Sequence, residues 1–404
     1  MNLIFLTMSP FDTLAEHNIY ADLLSEFAAR GHKPYLVSPI ERRDAAQSTF
    51  TDRGSYAVLR VRVGNTSGVS LVEKGLSTVA MEGRFIAEIR KYLRDVPFGL
   101  ILYSTPPVTF ARVIQWLKEV TCAPAYLLLK DIFPQNAVDL GMFSKGGLIY
   151  RYFRSKEKKL YALSDAIGCM SQANVDYLLS HEPQLSAEKV HINPNSITPH
   201  AAAADPAQIA QVRRRYDIPD GARVFLFGGN MGKPQGMDFV VQCLRRVKDR
   251  QDCFFVLCGT GSDYGLPERY VQLEQPKNVR LIHGLPKTDY DELLSACDVG
   301  LLFLDHRFTI PNFPSRLLSY MEQAKPVLAC TDACTDVGTT ITEGGFGWWC
   351  PSGDAEAFVR TVDAVCREPS LDAYGGRARA YLLKHYLVCD SCDRILSLGM
   401  GGGQ

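Results

Sequence analysis

Residues 309–329, TIPNFPSRLLSYMEQAKPVLA, combine a cation with a predicted helix start. Pro311 and Pro314 favour an extended approach to that helix, and Ser315 is a residue type that caps helices. A helix start presents unpaired N–H groups and the positive end of the helix dipole. Arg316 adds a guanidinium whose shape suits phosphate oxygens. The segment therefore predicts either an anion site or an ordinary helix start in an α/β domain.

A glycine-rich loop, residues 228–236 with the sequence GGNMGKPQG, directly follows a strand-like run. Glycines let backbone amides come close to a phosphate, and Lys233 can neutralise part of its charge. The spacing matches neither the P-loop nor GxGxxG, so the loop alone is a weak signal. It gains weight because we expect it to lie at the same sheet edge as Arg316.

Three other motifs are better explained by structure than by a cofactor. Residues 259–265 read GxGxxxG, but a dinucleotide site is expected after the first strand of a domain, where residues 6–10 contain no glycine. Residues 289–291 read Asp-Tyr-Asp, and we expect a helix capped by Thr288 rather than a metal-binding DxD. The lone CxxC at 389–392 lacks a second pair of ligands. We therefore expect no cofactor and no bound metal.

Residues 130–136, KDIFPQN, follow the buried strand predicted at 125–129. Ligands of open α/β sheets bind where strands end, so Lys130 and Asp131 are candidates for holding a hydroxyl acceptor. A turn or a surface charge is an equally good explanation of these two residues.

A cluster of cations and aromatic rings occupies residues 145–161. The cations are Lys145, Arg151, Arg154, Lys156, Lys158 and Lys159, and the rings are Tyr150, Tyr152, Phe153 and Tyr161. Within the segment only Glu157 opposes the positive charge. Docking onto anionic lipid explains the pattern, as does a solvated helix face with the aromatic rings packed inward. We favour the membrane interpretation because basic and aromatic residues occur together.

Length and composition limit the function classes. The chain has 404 residues, enough for two α/β domains of roughly 190 residues each. The 44 basic and 44 acidic residues cancel, so bulk charge does not indicate nucleic acid as a partner. The N-terminus reads as a core strand rather than a signal peptide, and no apolar run reaches the roughly 18 residues of a membrane span. The 12 scattered cysteines suit reduced thiols in a cytosol.

Strand-like and helical runs alternate throughout, which predicts two Rossmann-like, doubly wound parallel-sheet domains of the α/β class, facing across a cleft. We assign residues 1–198 to an N-terminal domain, 199–377 to a C-terminal domain, 378–398 to a helix returning to the first domain, and 399–404 to a tail. The linker is expected at 193–206, where periodicity is lost. The strand predictions are 3–7, 34–38, 100–103, 125–129, 166–170, 224–228, 254–258, 279–282, 299–303, 327–329 and 347–349. The helix predictions include 19–30, 107–120 and one ending near 163.

Together these segments resemble a retaining, nucleotide-sugar-dependent glycosyltransferase of the GT-B fold, in the large family-four group. The similarity is greatest to bacterial enzymes of capsule, O-antigen and exopolysaccharide assembly, and it covers nearly the whole chain. The matching segments are ARGHKP at 29–34, KDIFP at 130–134, VHINPNS at 190–196, the glycine loop at 229–236 and residues 314–327.

The chain also departs from the family pattern. Pro311 and Ser319 stand where the family often has two glutamates, with Glu322 one turn further on. Asn230 and Gln235 replace a common arginine and lysine, which leaves Lys233 as the cation of the glycine loop. The N-terminal loop lacks its usual glycine pair, and Lys130 replaces a histidine.

The resemblance implies transfer of a sugar from a uridine diphosphate donor to a lipid-linked saccharide, with retention and without a metal. It implies a cytoplasmic enzyme held on the inner face of the plasma membrane. The implied catalytic residues are Asp131, Lys233 and Arg316. The implied donor-binding residues are Gly229, Asn230, Gly232, Gln235, Gly284, Leu285, Ser315, Leu317, Ser319 and Glu322. The implied acceptor-binding residues are Glu16, His17 and Lys130. The implied membrane-contact residues are Arg151, Arg154, Lys156, Lys158 and Lys159. A UDP-sugar 2-epimerase of the same fold and an inactive nucleotide-sugar-binding subunit remain alternatives.

Overall fold

The computed structural model describes residues 1–9, 11–65, 71–200 and 205–399. The chain forms two compact units. The N-terminal unit comprises Met1–Thr198 and the described residues from Val388 onward, and the C-terminal unit comprises Pro199–Leu387. Within the described ranges, no helix combines the length and the apolar character needed to cross a bilayer.

The N-terminal unit is built on an eight-stranded sheet with the order β3-β4-β2-β1-β5-β6-β7-β8. All neighbouring strands are parallel except β3 and β4 at one edge. The elements are β1 (Asn2–Leu6), α1 (Ile19–Ala29), β2 (Lys33–Glu41), β3 (Thr49–Asp52), β4 (Ala57–Val63), α2 (Leu71–Tyr92), β5 (Phe98–Ser104), α3 (Ala111–Thr121), β6 (Ala125–Leu129), α4 (Gln135–Asp139), α5 (Leu148–Leu163), β7 (Ala166–Cys169), α6 (Gln172–His181) and β8 (Val190–Ile192).

The C-terminal unit contains a six-stranded parallel sheet with the order β11-β10-β9-β12-β13-β14. Its core strands are fully buried apolar runs, as expected for a sheet covered by helices on both faces. The elements are α7 (Pro206–Arg215), β9 (Arg223–Asn230), α8 (Met237–Arg246), β10 (Cys253–Thr260), α9 (Gly265–Glu274), β11 (Val279–His283), α10 (Lys287–Ser295), β12 (Val299–Phe303), α11 (Arg316–Glu322), β13 (Val327–Thr331), α12 (Val337–Glu343), β14 (Gly347–Pro351), α13 (Ala355–Arg367) and α14 (Leu371–His385).

The predicted fold class is confirmed, and most predicted strands lie within a residue or two of their structural bounds. The main omissions are the edge strand β3 and its neighbour β4, the 22-residue helix α2 and the short β8. β4 alternates apolar residues with Arg60 and Arg62, so its period-two pattern was available in the sequence.

The first part of the predicted linker is core rather than linker. Asn193 is fully buried, and Asn195 and Ser196 are nearly so. The Asn193 N–H donates to the Cys169 carbonyl at 2.7 Å, and its side-chain amide donates to the Tyr126 hydroxyl at 2.8 Å. Periodicity is lost here because polar side chains form the hydrogen bonds that a strand ladder would otherwise supply. Part of the remaining predicted linker, residues 201–204, lies outside the described residues.

The single helix predicted at 378–398 is wrong, because α14 ends at His385 and a separate helix, α15 (Val388–Gly399), follows. Tyr386 leaves the helical region, with φ −128° and ψ 30°. The Val388 N–H then donates to the Ile197 carbonyl of the N-terminal unit. Cys392 of the CxxC motif is fully buried on α15, which explains it as a core residue. Of the predicted tail, residues 400–404 lie outside the described residues.

Removing the Asn193 side chain tests whether this segment belongs to the core. Its amide nitrogen binds Tyr126, and its carbonyl oxygen accepts from the Ser391 hydroxyl of α15 at 2.7 Å. Asn193→Ala should lower the free energy of unfolding by about 1–3 kcal/mol, because buried partners are left unsatisfied. Denaturant unfolding measures this loss.

Asn195→Ala is the matched control. Asn195 is also buried, but its Nδ2 has only the Met170 sulfur, at 3.6 Å, and its Oδ1 has no hydrogen-bond partner among the described residues. It should therefore lose less stability than Asn193→Ala. Equal losses for the two variants would contradict the special role of Asn193.

Candidate functional site

In the C-terminal unit, Arg316 lies directly over the end of β9. The backbone of Gly229 has φ +116°, a conformation open to glycine but strained for other residues. A Cβ built on Gly229 would lie 2.6 Å from the Arg316 Nη2 atom, so the guanidinium rests on the glycine backbone. The guanidinium carbon is 4.9 Å from the centre of the Tyr290 ring. The structure thus brings Arg316 and the first residues of the glycine loop together, as the sequence predicted.

Two residues of the glycine loop stabilise the loop itself. The Gln235 Oε1 atom accepts from the Asn230 side-chain amide at 3.2 Å and from the Gly232 N–H at 3.3 Å. Residues Lys233–Gln235 form one 3-10 turn, and Gly236, with φ +59°, begins α8. Because Gln235 Oε1 accepts both hydrogen bonds, it stabilises the loop, and this oxygen is not free to bind a ligand.

Lys233, the first residue of this turn, is exposed. It lines a cavity of about 530 Å³ whose charged walls contain acids and bases. The ionisable residues lining it are Lys233, Asp238, Asp263, Arg269, Asp305 and Arg307. Arg316 is not among the lining residues, so the described structure does not show the two predicted catalytic cations in one cavity.

The start of α11 differs from the predicted cap. Ser315 already has helical angles, φ −63° and ψ −19°, and its side chain forms no capping bond. The N–H groups of Leu317 and Leu318 donate to the carbonyls of Pro314 and Ser315 at 3.2 and 3.1 Å. A tight first turn therefore occupies amides that we expected to be free. Leu317 is also fully buried, so neither its side chain nor its N–H is open to a ligand.

Glu322, predicted to bind the donor, has a different partner. It is 6% exposed, and its Oε1 atom accepts from the His200 N–H at 2.8 Å. Arg379 donates to its backbone carbonyl. These bonds hold the backbone at His200 and the side chain of Arg379 against α11, so Glu322 is a structural residue here. Ser319, one turn earlier, is half-buried and remains a candidate.

The predicted donor-binding residues Gly284 and Leu285 lie in the turn between β11 and α10. Gly284 has φ +44°, and its N–H donates to the Gly259 carbonyl at 3.1 Å. Leu285 is half-buried. Because the Gly284 amide is occupied, its carbonyl is the backbone group left for a ligand.

The Asp-Tyr-Asp motif lies in α10, but Thr288 does not cap that helix. The helix begins at Lys287 after Pro286, which places Thr288 inside the first turn. Lys287 Nζ binds the Asp291 carboxylate at 2.7 and 2.8 Å, an ordinary i,i+4 ion pair. Tyr290 points inward and is 7% exposed.

The N-terminal unit has a polar row at the carboxyl ends of its central strands. Thr7, Ser104 and Thr105 are buried there, and the Ser104 hydroxyl donates to Thr7 Oγ1 at 3.1 Å. The Thr105 hydroxyl donates to the Asp131 carbonyl at 3.2 Å and accepts from the Lys130 N–H at 3.1 Å. Thr105 therefore fixes the loop that carries both candidate acceptor residues.

Asp131 and Lys130 have pKa values shifted towards neutrality. Burial raises the pKa of Asp131 to about 6, opposed by hydrogen bonds from the Ile132 N–H and from Asn136. The Asn136 amide lies 2.8 and 2.7 Å from the two carboxylate oxygens. Burial also lowers the pKa of Lys130 to about 7. Perturbed pKa values of this kind are typical of functional sites.

The other two predicted acceptor residues lie in the loop before α1. Glu16 is exposed, and its carboxylate accepts from the Asp12 N–H at 3.2 Å. His17 Nδ1 lies 3.2 Å from Asp22 Oδ1, while Asp22 Oδ2 accepts from the Thr198 N–H at 2.8 Å. Asp22 thus orients His17 and also binds the backbone of Thr198, where the first segment of the N-terminal unit ends.

The basic cluster falls on α5, and two of its cations are neutralised. Arg154 pairs with Glu157 and with Glu182, and Lys156 pairs with Glu82 at 2.6 Å. The expectation that only Glu157 opposes the cluster is therefore wrong, because acids distant in sequence fold against it. The cations that remain exposed without an ion pair in the described structure are Lys145, Arg151, Lys158 and Lys159.

Sequence reasoning missed the apolar part of this surface. Met142, Leu148, Ile149 and Tyr152 are exposed by 58%, 83%, 58% and 39%. The adjacent pair Leu148-Ile149, following two glycines outside any strand pattern, was the available signal. The Phe153 ring of α5 packs 4.9 Å from the Phe133 ring, so the surface is joined to the loop bearing Asp131.

Residues 208–380, within the C-terminal unit, match the family described as Glycosyl transferases group 1. The C-terminal unit therefore contains a group 1 glycosyltransferase domain, and the chain is a glycosyltransferase. It is 28% identical over 331 residues to the probable glycosyltransferase WbjE of Pseudomonas aeruginosa, which covers 80% of each chain. It is 24% identical over 256 residues to the putative colanic acid biosynthesis glycosyl transferase WcaI of Escherichia coli, covering 62% of this chain and 60% of that one. The family expected from the sequence is confirmed.

Solved structures agree with the glycosyltransferase in fold. WaaG, a glycosyltransferase involved in lipopolysaccharide biosynthesis, superposes with a TM-score of 0.68 at 15% identity, over 99% of this chain and 100% of WaaG. HepE of Anabaena in complex with UDP-glucose superposes with a TM-score of 0.71 at 14% identity, over 98% of each chain. At these identities the likeness supports the two-sheet fold and no finer property.

The shifted pKa of Asp131 can be measured directly. Carbon-13 NMR of the glycosyltransferase labelled at aspartate should show one carboxyl titrating near pH 6. Asn136→Ala should move that midpoint upward, because the amide stabilises the charged form of the carboxylate.

Gln135→Ala is the matched control for this titration. Gln135 precedes Asn136 on α4, and its side-chain amide donates to Asp139 at 2.7 Å. It should leave the midpoint of Asp131 unchanged. A midpoint near 4 in the wild-type protein would show that Asp131 is solvated and is not a tuned residue.

Proposed function

We propose that this glycosyltransferase moves a sugar from a nucleoside diphosphate, uridine diphosphate by resemblance, to a hydroxyl of a lipid-linked saccharide. The C-terminal unit supplies the donor site and the N-terminal unit supplies the acceptor site. One observation carries the proposal: an arginine guanidinium is held against the glycine backbone at the carboxyl end of β9. Such an edge is where open α/β sheets bind ligands.

The chemistry gives Arg316 its role. As the bond between the anomeric carbon and the diphosphate breaks, the sugar gains oxocarbenium character and the diphosphate gains negative charge. Fixed donors aimed at that charge lower the barrier. We assign this role to Arg316, with the ammonium of Lys233 as a further donor. The Asp-Tyr-Asp motif offers little to a metal because Asp291 is paired with Lys287. We therefore propose metal-independent transfer, and retention as the resemblance implies.

On the acceptor side, Asp131 is the proposed catalytic residue. A carboxylate with a pKa near 6 is ionised at neutral pH and can accept a hydrogen bond from the attacking hydroxyl. Lys130 adds a second polar group, and Glu16 and His17 are proposed to bind the saccharide further out. WcaI is named for colanic acid biosynthesis, and this relationship supports surface polysaccharide synthesis as the pathway.

The exposed surface of α5 and the preceding loop supports a lipid-linked acceptor. Apolar side chains beside unpaired cations are the composition of an interfacial membrane anchor. Leu148, Tyr152 and Lys159 follow one face of α5 at helical spacing, and Arg151 flanks it. We propose that this surface rests on the anionic inner leaflet of the plasma membrane, on the cytoplasmic side, where Phe153 and Phe133 connect it to Asp131.

Arg316→Ala tests the donor site. Acceptor-dependent release of UDP, measured with a panel of UDP-sugars, membrane lipid extract and EDTA, should fall by about 10²- to 10³-fold, because one fixed donor is lost. Lys233→Ala should lose less, since the Lys233 side chain is exposed and its charge is screened by solvent. Arg214→Ala, which changes an exposed arginine on α7, is the control and should retain full turnover.

The same assay separates the alternatives. Conversion of a UDP-sugar without any acceptor would instead indicate an epimerase. Binding of the nucleotide without turnover would indicate an inactive subunit, an outcome that the structural role of Glu322 makes worth testing. Full turnover by Arg316→Ala would remove the proposed site.

Substitutions on α5 test membrane contact. Leu148→Glu and Arg151→Glu should each reduce flotation with vesicles containing anionic phosphatidylglycerol, because one removes apolar insertion and the other reverses a charge. Leu383→Glu, which changes a leucine 46% exposed in the C-terminal unit, is the control and should float like the wild type. Unchanged flotation of both α5 variants would contradict the proposed surface.

A further inference from the structure

Tyr290 sits beneath the guanidinium of Arg316, and no motif assigned it a role. Its ring centre is 4.9 Å from the guanidinium carbon. The ring is 7% exposed, and its hydroxyl lies beside the hydroxyl of Tyr320 of α11. The face of the Tyr290 ring is the part of the side chain that meets the cation.

The glycine pair at the end of β9 is matched to these two side chains. A Cβ built on Gly228 would lie 2.1 Å from the Tyr290 hydroxyl oxygen and 2.5 Å from its ring carbons. A Cβ built on Gly229 would lie 2.6 Å from Arg316 Nη2. One glycine makes room for the ring and the next makes room for the cation that the ring supports.

We propose that Tyr290 is a positioning residue for the donor diphosphate: its ring holds the Arg316 guanidinium flat over Gly229, ready for the phosphate. This inference rests on the proposed function and deepens it. Arginine stacks on aromatic faces while its N–H groups stay free in the ring plane. A long side chain that is already ordered loses less freedom when it binds. Burial raises the pKa of Tyr290 to about 12, so the ring stays a neutral phenol.

The chain contains a matched control for this arrangement. Tyr270 of α9 is 2% exposed, and the Arg245 guanidinium lies 5.7 Å from its ring centre. Neither residue of this second pair contacts the glycine loop in the described contacts. Tyr270→Leu therefore reproduces the loss of a buried ring beneath an arginine, without touching the donor site.

The test is calorimetric titration of the full-length protein with UDP and with uridine. Tyr290→Leu should weaken UDP binding by roughly threefold to thirtyfold, the range of a stacked cation, and leave uridine binding unchanged. Tyr290→Phe should restore most of the lost UDP affinity, because the ring is kept. Tyr270→Leu should bind UDP like the wild type. Should Tyr290→Leu fail to fold, Tyr290→Met, whose unbranched side chain adapts to irregular gaps, takes its place.

A double-mutant cycle distinguishes positioning from packing. In the Arg316→Ala background, Tyr290→Leu should cause no further loss of UDP affinity, because the group it positions is gone. Fully additive losses would show a merely structural role and overturn the inference.

Two further outcomes locate a failure. UDP binding that Arg316→Ala weakens but Tyr290→Leu does not would overturn the role of Tyr290 alone. A wild-type protein that binds no UDP would overturn the proposed donor and this inference with it.

Discussion

The hydroxyl of Tyr320 is the contact on which the candidate donor site depends. It lies 3.1 and 3.0 Å from the carbonyls of Leu226 in β9 and Leu301 in β12, and it accepts from the Gly228 N–H at 3.3 Å. These bonds fasten α11 to the two strands at the centre of the sheet. Arg316 stands four residues earlier on the same helix face, so fixing Tyr320 also fixes the arginine over Gly229. The arrangement of the central strands therefore determines where the positive charge of Arg316 lies.

The N-terminal unit follows the same physical rule at its own sheet edge. The parallel strands end there, and side-chain hydroxyls bind the backbone that follows them. The Thr105 hydroxyl binds the loop that carries Lys130 and Asp131. Burial behind that loop brings the pKa values of both side chains close to neutrality. The aromatic contact between Phe133 and Phe153 joins the loop to α5, whose outer face carries exposed leucine, isoleucine and cations. The loop that bears Asp131 and the exposed surface of α5 are thus parts of one unit.

The sequence predicted the features that depend on local pattern and failed where distant residues decide. Buried strands such as β6 and β12 were predicted at their observed bounds, because continuous apolar runs between turn residues leave few alternatives. Arg316 and the glycine loop were paired correctly, since strand ends share an edge. The partners of Arg154, Lys156 and Glu322 come from distant segments, so no local pattern revealed them. Tyr290 was considered only as the middle residue of a possible DxD motif, because the spacing of residues along the sequence does not show which aromatic ring packs against which cation.

We propose that the diphosphate of the donor binds to the Arg316 guanidinium, which the Gly229 backbone and the Tyr290 ring hold at the carboxyl end of β9. A crystal structure of the protein with bound UDP would locate the diphosphate. We expect a phosphate oxygen about 2.7–2.9 Å from a guanidinium nitrogen of Arg316, with the guanidinium still over the Tyr290 ring. A diphosphate bound in the cavity beside Lys233 and Arg307, with no phosphate contact to Arg316, would contradict it.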